Sequence, residues 1–156
     1  VLYAAKMAQD GESVEEICAK LSRLKERIST SFIVPSPDTL YRNGKIGRGV
    51  RNICDSLELR PILYLSQNKI KIRGAVMGKA DKAYKKYIYQ QLRHKNKIDP
   101  RILFITYAGC SVKQLEEIRE EVEKYMHFEH IEYQKASATI SSNCGIGAFA
   151  LIFMRN

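Results

Sequence analysis

The chain has 156 residues, of which 45% are hydrophobic and 28% charged, and it carries a formal net charge of +9. This length suits one buried core and is short for two ordinary domains, and the composition excludes a disordered or fibrous chain. No apolar run approaches the roughly 20 residues of a membrane-spanning helix and no signal peptide is recognisable, so we expect a cytoplasmic protein without a membrane span.

The first residues already follow a helical pattern. The chain opens with Val1 rather than methionine, and apolar residues recur at helical spacing up to Gly11. A natural chain rarely begins inside an apolar helix, so we expect this chain to be the downstream part of a longer protein. Ser13 and Glu16 then form a capping box before a second apolar stripe, which predicts a helix over residues 13–28.

The middle of the chain predicts short strands and helices separated by proline, glycine and asparagine. From residue 31 to residue 94 the predicted elements are a strand at 31–34, a helical turn at 39–41, a helix at 48–57, a hairpin with strands at 61–65 and 69–76 joined by a turn at 66–68, and a helix at 79–94.

In the last third, a dense β-branched and aromatic run predicts a strand buried on both faces. The predicted elements from residue 101 onward are a strand at 101–107, a helix at 111–125 and strands at 130–134 and 147–154. The segment SSNCGIG before the last strand is expected to form a polar turn. This order of elements predicts an α/β fold, a two-layer domain with a mixed β-sheet covered by helices on at least one face.

The segment at 141–147 combines polar side chains with two glycines just before the apolar run AFALIF. Glycine lets a ligand approach the backbone closely, and the amide of Asn143 offers two donors. Ser142 and Gly145 lie beside it. This composition is typical of a site for an anionic head group next to an apolar wall, although a plain turn between strands has the same composition.

Cysteine and histidine leave one enzymatic alternative open. The four cysteines are widely separated and form no metal-binding spacing with histidine, so we expect free thiols. Cys144 could act as a nucleophile if His127 or His130 reached it as a base.

The positive charge is concentrated between residues 68 and 101, where eleven basic and two acidic residues give a net of +9. A solvated face, an acidic partner protein or nucleic acid would fit such a segment, and a nucleic-acid-binding module is the alternative function. Tyr84 and Tyr87 share the apolar stripe of the predicted helix, so we expect them in the core rather than stacked on bases.

A set of short motifs, taken in chain order, resembles the carboxy-terminal domain of the DegV family. The motifs are GESVEEI at 11–17, FIV at 32–34, Leu40 followed by NGKI at 43–46, RPIL at 60–63 and NCGIGAFA at 143–150. Their order and spacing match the family pattern across nearly the whole chain. The resemblance implies one DegV-like carboxy-terminal domain over residues 1–156, the second domain of a two-domain protein.

Members of this family bind a long-chain fatty acid between two domains and present its carboxylate to a separate fatty acid kinase. The resemblance therefore implies a fatty-acid-binding carrier that is not an enzyme and has no cofactor beyond the bound fatty acid. Its partners would be the kinase and its own amino-terminal domain. Asn143 stands where the family has a histidine that donates to the carboxylate, and Lys45 where it has an arginine. Because asparagine cannot become cationic, we expect a weaker head-group contact.

Three sets of site residues follow from the segments and the resemblance. The carboxylate end is expected at Asn143, Ser142 and Gly145. The acyl chain is expected to be lined by Ile33, Leu40, Ile46, Leu63, Ala148 and Phe149. Docking of an acidic kinase is expected at Arg42, Lys45 and Arg48. Burying about fourteen methylenes at roughly 0.8 kcal/mol each gives on the order of 11 kcal/mol before opposing terms, so a long apolar slot with a small polar end suffices.

Overall fold

A computed structural model of the protein describes residues 1–66 and 69–156. The strands are β1 (Ile28–Ile33), β2 (Leu59–Ser66), β3 (Lys69–Met77), β4 (Ile98–Tyr107), β5 (His130–Lys135) and β6 (Phe149–Arg155). The helices are α1 (Leu2–Gln9), α2 (Val14–Leu24), α3 (Asp38–Arg42), α4 (Arg48–Ser56), α5 (Ala80–Leu92), α6 (Val112–Glu123) and α7 (Ala138–Cys144). Within the ranges described, no helix combines the length and apolar character needed to cross a membrane.

The strands form one mixed sheet in the order β3-β2-β1-β6-β4-β5. The last strand of the chain, β6, lies in the middle and pairs antiparallel with both β1 and β4. The parallel pair is β4 and β5, and α6 forms the crossover that parallel neighbours require. The predicted α/β fold with a mixed sheet is confirmed.

One face of the sheet packs against α5 and α6. Tyr84 and Tyr87 of α5 are buried there, and both rings meet the ring of Phe149 edge to face, with centroids 5.1 and 5.4 Å away. Such pairs add a specific geometry to the burial of apolar area. The expected core position of both tyrosines is confirmed, so neither ring is free to stack on a base.

The hydroxyl of Tyr87 connects the two central strands. It donates to the carbonyl of Ser31 in β1 at 2.8 Å and accepts from the backbone N–H of Leu151 in β6 at 3.3 Å. The Ser31 hydroxyl lies 2.9 Å away. Because a buried polar group without partners is costly, this bonded phenol fixes α5 over one register of the sheet.

The opposite face of the sheet is covered mainly at its two ends. Beneath α3 and α7, at one end, lies a small buried cluster formed by Val34, Leu40, Leu63, Ala108, Cys144 and Ala148. The other end meets α1 and α2 around Met154 of β6. Side chains alternate between faces along a strand, so Phe32, Phe104 and Ile152 lie on this face between the two ends, and all three are half-exposed. We call this the open face.

The sequence predictions fail where the residues lack apolar periodicity or where periodic residues stay exposed. The segment predicted as a polar turn continues as helix through Cys144, since the Ser137 side chain caps α7 and accepts from the N–H of Ile140. The helix predicted over 13–28 ends earlier, and Ile28 already begins β1. The apolar stripe of α2 is not part of the core, since Val14 is 71% exposed. The predicted turn at 66–68 falls largely on residues 67 and 68, outside the described residues.

We expect that Tyr87→Phe lowers the free energy of unfolding by about 1–3 kcal/mol, because it removes the buried hydrogen bonds of the Tyr87 hydroxyl to the Ser31 carbonyl and the Leu151 N–H. Urea denaturation measures the change. Tyr89→Phe is the matched control, since Tyr89 is 48% exposed, and it should cost less than about 0.5 kcal/mol. Equal losses for the two variants would contradict the role given to the Tyr87 hydroxyl.

Candidate functional site

The candidate site lies at the edge of the sheet where β1 and β4 end and β6 begins. We call it the carboxyl edge, formed by residues 34–36, 108–110 and 145–148. The backbone closes it with two hydrogen bonds, from the N–H of Gly147 to the carbonyl of Ala108 at 2.7 Å and from the N–H of Ala108 to the carbonyl of Ala148 at 2.9 Å. The backbone at this edge is therefore held in one arrangement.

Gly145 ends α7 in a conformation that suits glycine. Its φ is +84°, and its N–H donates to the carbonyl of Ser141 at 2.9 Å. A Cβ at this position would lie 2.8 Å from the Oγ1 atom of Thr39 in α3. Close to this contact, the side-chain amide of Asn43 donates to the carbonyl of Ser142 at 3.0 Å. Together the contacts hold α3 against α7.

The predicted carboxylate-end residues lie together on the last turn of α7. The Asn143 amide nitrogen donates to the carbonyl of Thr139 at 2.8 Å, and the Ser142 hydroxyl donates to the same carbonyl at 3.0 Å. An amide nitrogen carries two hydrogens, so Asn143 retains one for a ligand. Asn143 is half-buried and adjoins Cys144, a member of the small buried cluster. The polar side chain of Asn143 thus lies next to the small buried apolar cluster.

The six residues predicted to line an acyl chain fall into two groups. Leu40, Leu63 and Ala148 belong to the small buried cluster, and Ile46 packs against it. Ile33 and Phe149 instead belong to the main core under α5, on the other face of the sheet. The structure therefore brings four of the six together next to the open face.

Two residues that sequence reasoning missed lie on the α5 side of the same edge. Tyr84 donates to the carbonyl of Gly147 at 2.8 Å. Burial raises the pKa of Tyr84 to about 12, and the positive charge of Arg60 partly opposes this rise. The Nε atom of Arg60 is itself buried and has no hydrogen-bond partner in the part of the chain that the structure describes. The sequence assigns no site role to either residue, although Arg60 begins the RPIL motif, because the two meet only in the folded sheet.

The thiol of Cys144 is poorly suited to nucleophilic chemistry. It is buried, and burial raises its pKa, which keeps the thiol protonated. The thiolate is the reactive form, so these surroundings disfavour the enzymatic alternative. Among residues 1–66 and 69–156, no group of three or more His, Cys, Asp or Glu could hold a metal ion.

The predicted docking residues Arg42, Lys45 and Arg48 lie exposed on the segment from α3 to α4. Salt bridges within 4.0 Å involve none of the three, as far as the described residues go. The next helix, α4, exposes Val50 and Ile53 by 48 and 57%. This surface therefore combines free positive charge with exposed apolar side chains.

Gly145→Ala should destabilise the fold by about 1–3 kcal/mol, because a side chain at φ +84° is strained and its Cβ would press on Thr39. Adding Thr39→Ala should recover the part of the lost stability that is due to this contact. The part that is due to the strained φ should remain. The matched control is Gly49→Ala in α4, where a Cβ meets nothing within 4 Å and alanine favours the helix. Thermal and urea unfolding measure all three, and equal losses at Gly145 and Gly49 would refute the account.

Comparison with known proteins adds relatives over the full chain. A DegV domain-containing protein of Clostridium perfringens is 29% identical over 156 residues, which cover 99% of this chain and 53% of the relative. One from Streptococcus pyogenes serotype M3 is 26% identical over 152 residues, covering 97% of this chain and 53% of the relative. The chain thus spans about half the length of the curated relatives it matches.

Solved structures share the fold. A DegV family protein from Eubacterium eligens, loaded with heptadecanoic acid, aligns with a TM-score of 0.79 at 17% identity, over 98% of this chain and 54% of that one. A DegV family protein from Thermus thermophilus, described as fatty acid binding, aligns with a TM-score of 0.77 at 24% identity. The alignment covers 99% of this chain and 55% of that one. The Streptococcus pneumoniae Fatty Acid Kinase (Fak) B3 protein, loaded with linoleic acid, aligns with a TM-score of 0.79 at 16% identity. The alignment covers 98% of this chain and 53% of that one.

At such identities the structural likeness establishes the fold alone, and the sequence decides the family. The family profile described as an uncharacterised protein of the DegV family matches residues 1–156, the whole chain. The chain therefore belongs to the DegV family.

Proposed function

We propose that this chain is the lipid-facing domain of a fatty-acid carrier, and that a long-chain fatty acid lies on its open face under a second domain. The observation that carries the proposal is the open face itself, a half-exposed apolar surface that runs up to the polar turn of α7. The fatty acids bound to the Eubacterium eligens and Streptococcus pneumoniae relatives support it.

The open face has suitable dimensions for an extended tail. It follows β6 from Ala148 to Met154, a length of roughly 20 Å at about 3.3 Å per residue. Half-exposed aromatic and aliphatic side chains lie between these ends. Covering apolar surface of this kind gains roughly 25 cal/mol per Å². A lipid tail and a covering domain would both gain from contact with it.

The polar end suits a carboxylate. Asn143 keeps one amide hydrogen free, whereas the Ser142 hydroxyl and the Gly145 N–H beside it already donate within α7. A carboxylate taken out of water needs several donors, so the second domain would supply others.

The acyl chain would begin against four of the expected lining residues, Leu40, Ile46, Leu63 and Ala148. It would continue over the half-exposed side chains of the open face. Ile33 and Phe149 stay predictions as lipid contacts, and their burial under α5 favours a supporting role behind the strands.

The second domain in this proposal corresponds to the half of the curated relatives that this chain does not match. An apolar groove of about 290 Å³ between α1, α2 and the end of β6 is also uncovered and would lie beneath it. A cytoplasmic location remains a prediction.

The protein would act as a carrier that presents the carboxylate to a fatty acid kinase and would not catalyse the reaction itself. The relative described as a fatty acid kinase B3 protein supports such a partner. The exposed Arg42, Lys45 and Arg48 next to α4 fit a partner surface with acidic groups. The alternative of nucleic-acid binding would have one exposed tyrosine in α5, Tyr89, since Tyr84 and Tyr87 are buried.

Fatty acid extracted from the complete natural protein tests the proposal. Protein purified under native conditions should release about one long-chain fatty acid per molecule on denaturation, measured by mass spectrometry. Phe104→Glu places a charge in the middle of the open face and should lower lipid content tenfold or more, on the order of the several kcal/mol that burying a charge costs. Val14→Glu, at a position 71% exposed on α2, is the matched control and should retain the lipid. Reproducible absence of an acyl ligand from the unmodified protein would refute the carrier.

Charge reversal tests the docking surface. Lys45→Glu combined with Arg48→Glu should slow association with the kinase by about tenfold at low salt and less at high salt, because exposed charges steer encounter. Stopped-flow fluorescence measures the rate. Lys113→Glu in α6 reverses the charge of a lysine that is 85% exposed on another surface and should leave the rate unchanged. An unchanged association rate in the double variant would show that this surface does not dock the kinase.

A further inference from the structure

A hydroxyl lies against the glycine that ends α7. The Oγ1 atom of Thr39 is 2.8 Å from the position that a Cβ of Gly145 would occupy. Thr39 is half-buried, and in the described part of the chain its hydroxyl makes no side-chain hydrogen bond. This hydroxyl is thus close to the last turn of α7 and has no side-chain hydrogen bond among the described residues.

The position of this hydroxyl is fixed by its surroundings. The backbone of α3 is held by the bonds from the N–H of Tyr41 to the carbonyl of Pro37 at 2.9 Å and from the N–H of Asn43 to the carbonyl of Thr39 at 3.1 Å. The Asn43 amide then ties α3 to α7. A β-branched side chain has few rotamers, so little freedom would be lost when a ligand binds.

Glycine at 145 lets the Thr39 hydroxyl approach the end of α7 closely, because a Cβ there would lie 2.8 Å from Oγ1. The Thr39 hydroxyl therefore lies against the end of the same helix turn that carries Asn143. Asn143, on the same turn, supplies a neutral amide and cannot supply a charge. A carboxylate at this turn therefore depends on the number of donors that reach it.

We propose that Thr39 is a head-group-binding residue whose hydroxyl donates a hydrogen bond to the carboxylate of the bound fatty acid. This deepens the proposed carrier function and rests on it. Hydrogen bonds from a hydroxyl to a carboxylate are short and stronger than neutral ones, so removing this donor weakens an ionised ligand more than a neutral ligand of equal length.

The test compares Thr39→Val, which keeps the shape and removes the hydroxyl, with Thr39→Ser, which keeps the hydroxyl. Both are made in the complete natural protein, delipidated before titration with palmitate and with hexadecanol. Thr39→Val should raise the Kd for palmitate by about tenfold or more and the Kd for hexadecanol by less than about threefold. Thr39→Ser should stay within about threefold of the unmodified protein for palmitate.

Thermal unfolding of the ligand-free variants measures whether Thr39→Val also weakens the packing of α3 against α7. Equal losses for palmitate and hexadecanol would mean that Thr39 only holds α3 against α7, which overturns the proposal, and so would an unchanged Kd for palmitate in Thr39→Val. If the unmodified protein binds neither ligand, the carrier function fails and this inference fails with it. If it binds palmitate and Thr39→Val binds equally well, only the role of Thr39 is lost.

Discussion

The phenol of Tyr87 is the contact on which the two-layer arrangement depends. Its hydroxyl reaches between β1 and β6 and is bonded to the backbone of both strands, at Ser31 and Leu151. The same ring packs edge to face on Phe149. Because the group is fully buried, the three contacts must be made together or the polar atoms lose their partners. This requirement selects the face of the sheet on which α5 lies.

The choice of face has a consequence for function. With α5 and α6 on one side, the apolar side chains that point the other way are covered mainly where α3 with α7, and α1 with α2, reach over the ends. Phe32, Phe104 and Ile152 remain half-exposed between them. Apolar side chains that stay accessible to solvent between two covered ends are a candidate interaction site. In the proposed carrier, the well-packed face supplies rigidity and the open face supplies binding.

Prediction from sequence succeeded where a local rule applies. The capping boxes at Ser13 and Ser111, the apolar stripe of α5 and the succession of strands along the chain all follow from local sequence patterns, and each is present in the structure. The short helix α7 did not follow, because its seven residues are mostly polar and carry no stripe. The contact between Thr39 and Gly145 could not follow either, because it joins segments far apart in the chain. Spacing also cannot tell a core stripe from an exposed one, as Val14 illustrates.

The two ends of the proposed slot would divide the work of binding. Burial of the tail contributes on the order of 11 kcal/mol before opposing terms, whereas a neutral hydrogen bond contributes roughly 0.5–1.5 kcal/mol and one to a charged group roughly 1.5–3. The tail therefore dominates affinity, and the donors near Asn143 mainly decide which end of the lipid lies at the carboxyl edge. A carrier must also release its lipid. In the proposed carrier, an asparagine rather than a cation on α7 would hold the head group less tightly, and the hydrogen bond proposed from Thr39 would help to keep its orientation without adding charge.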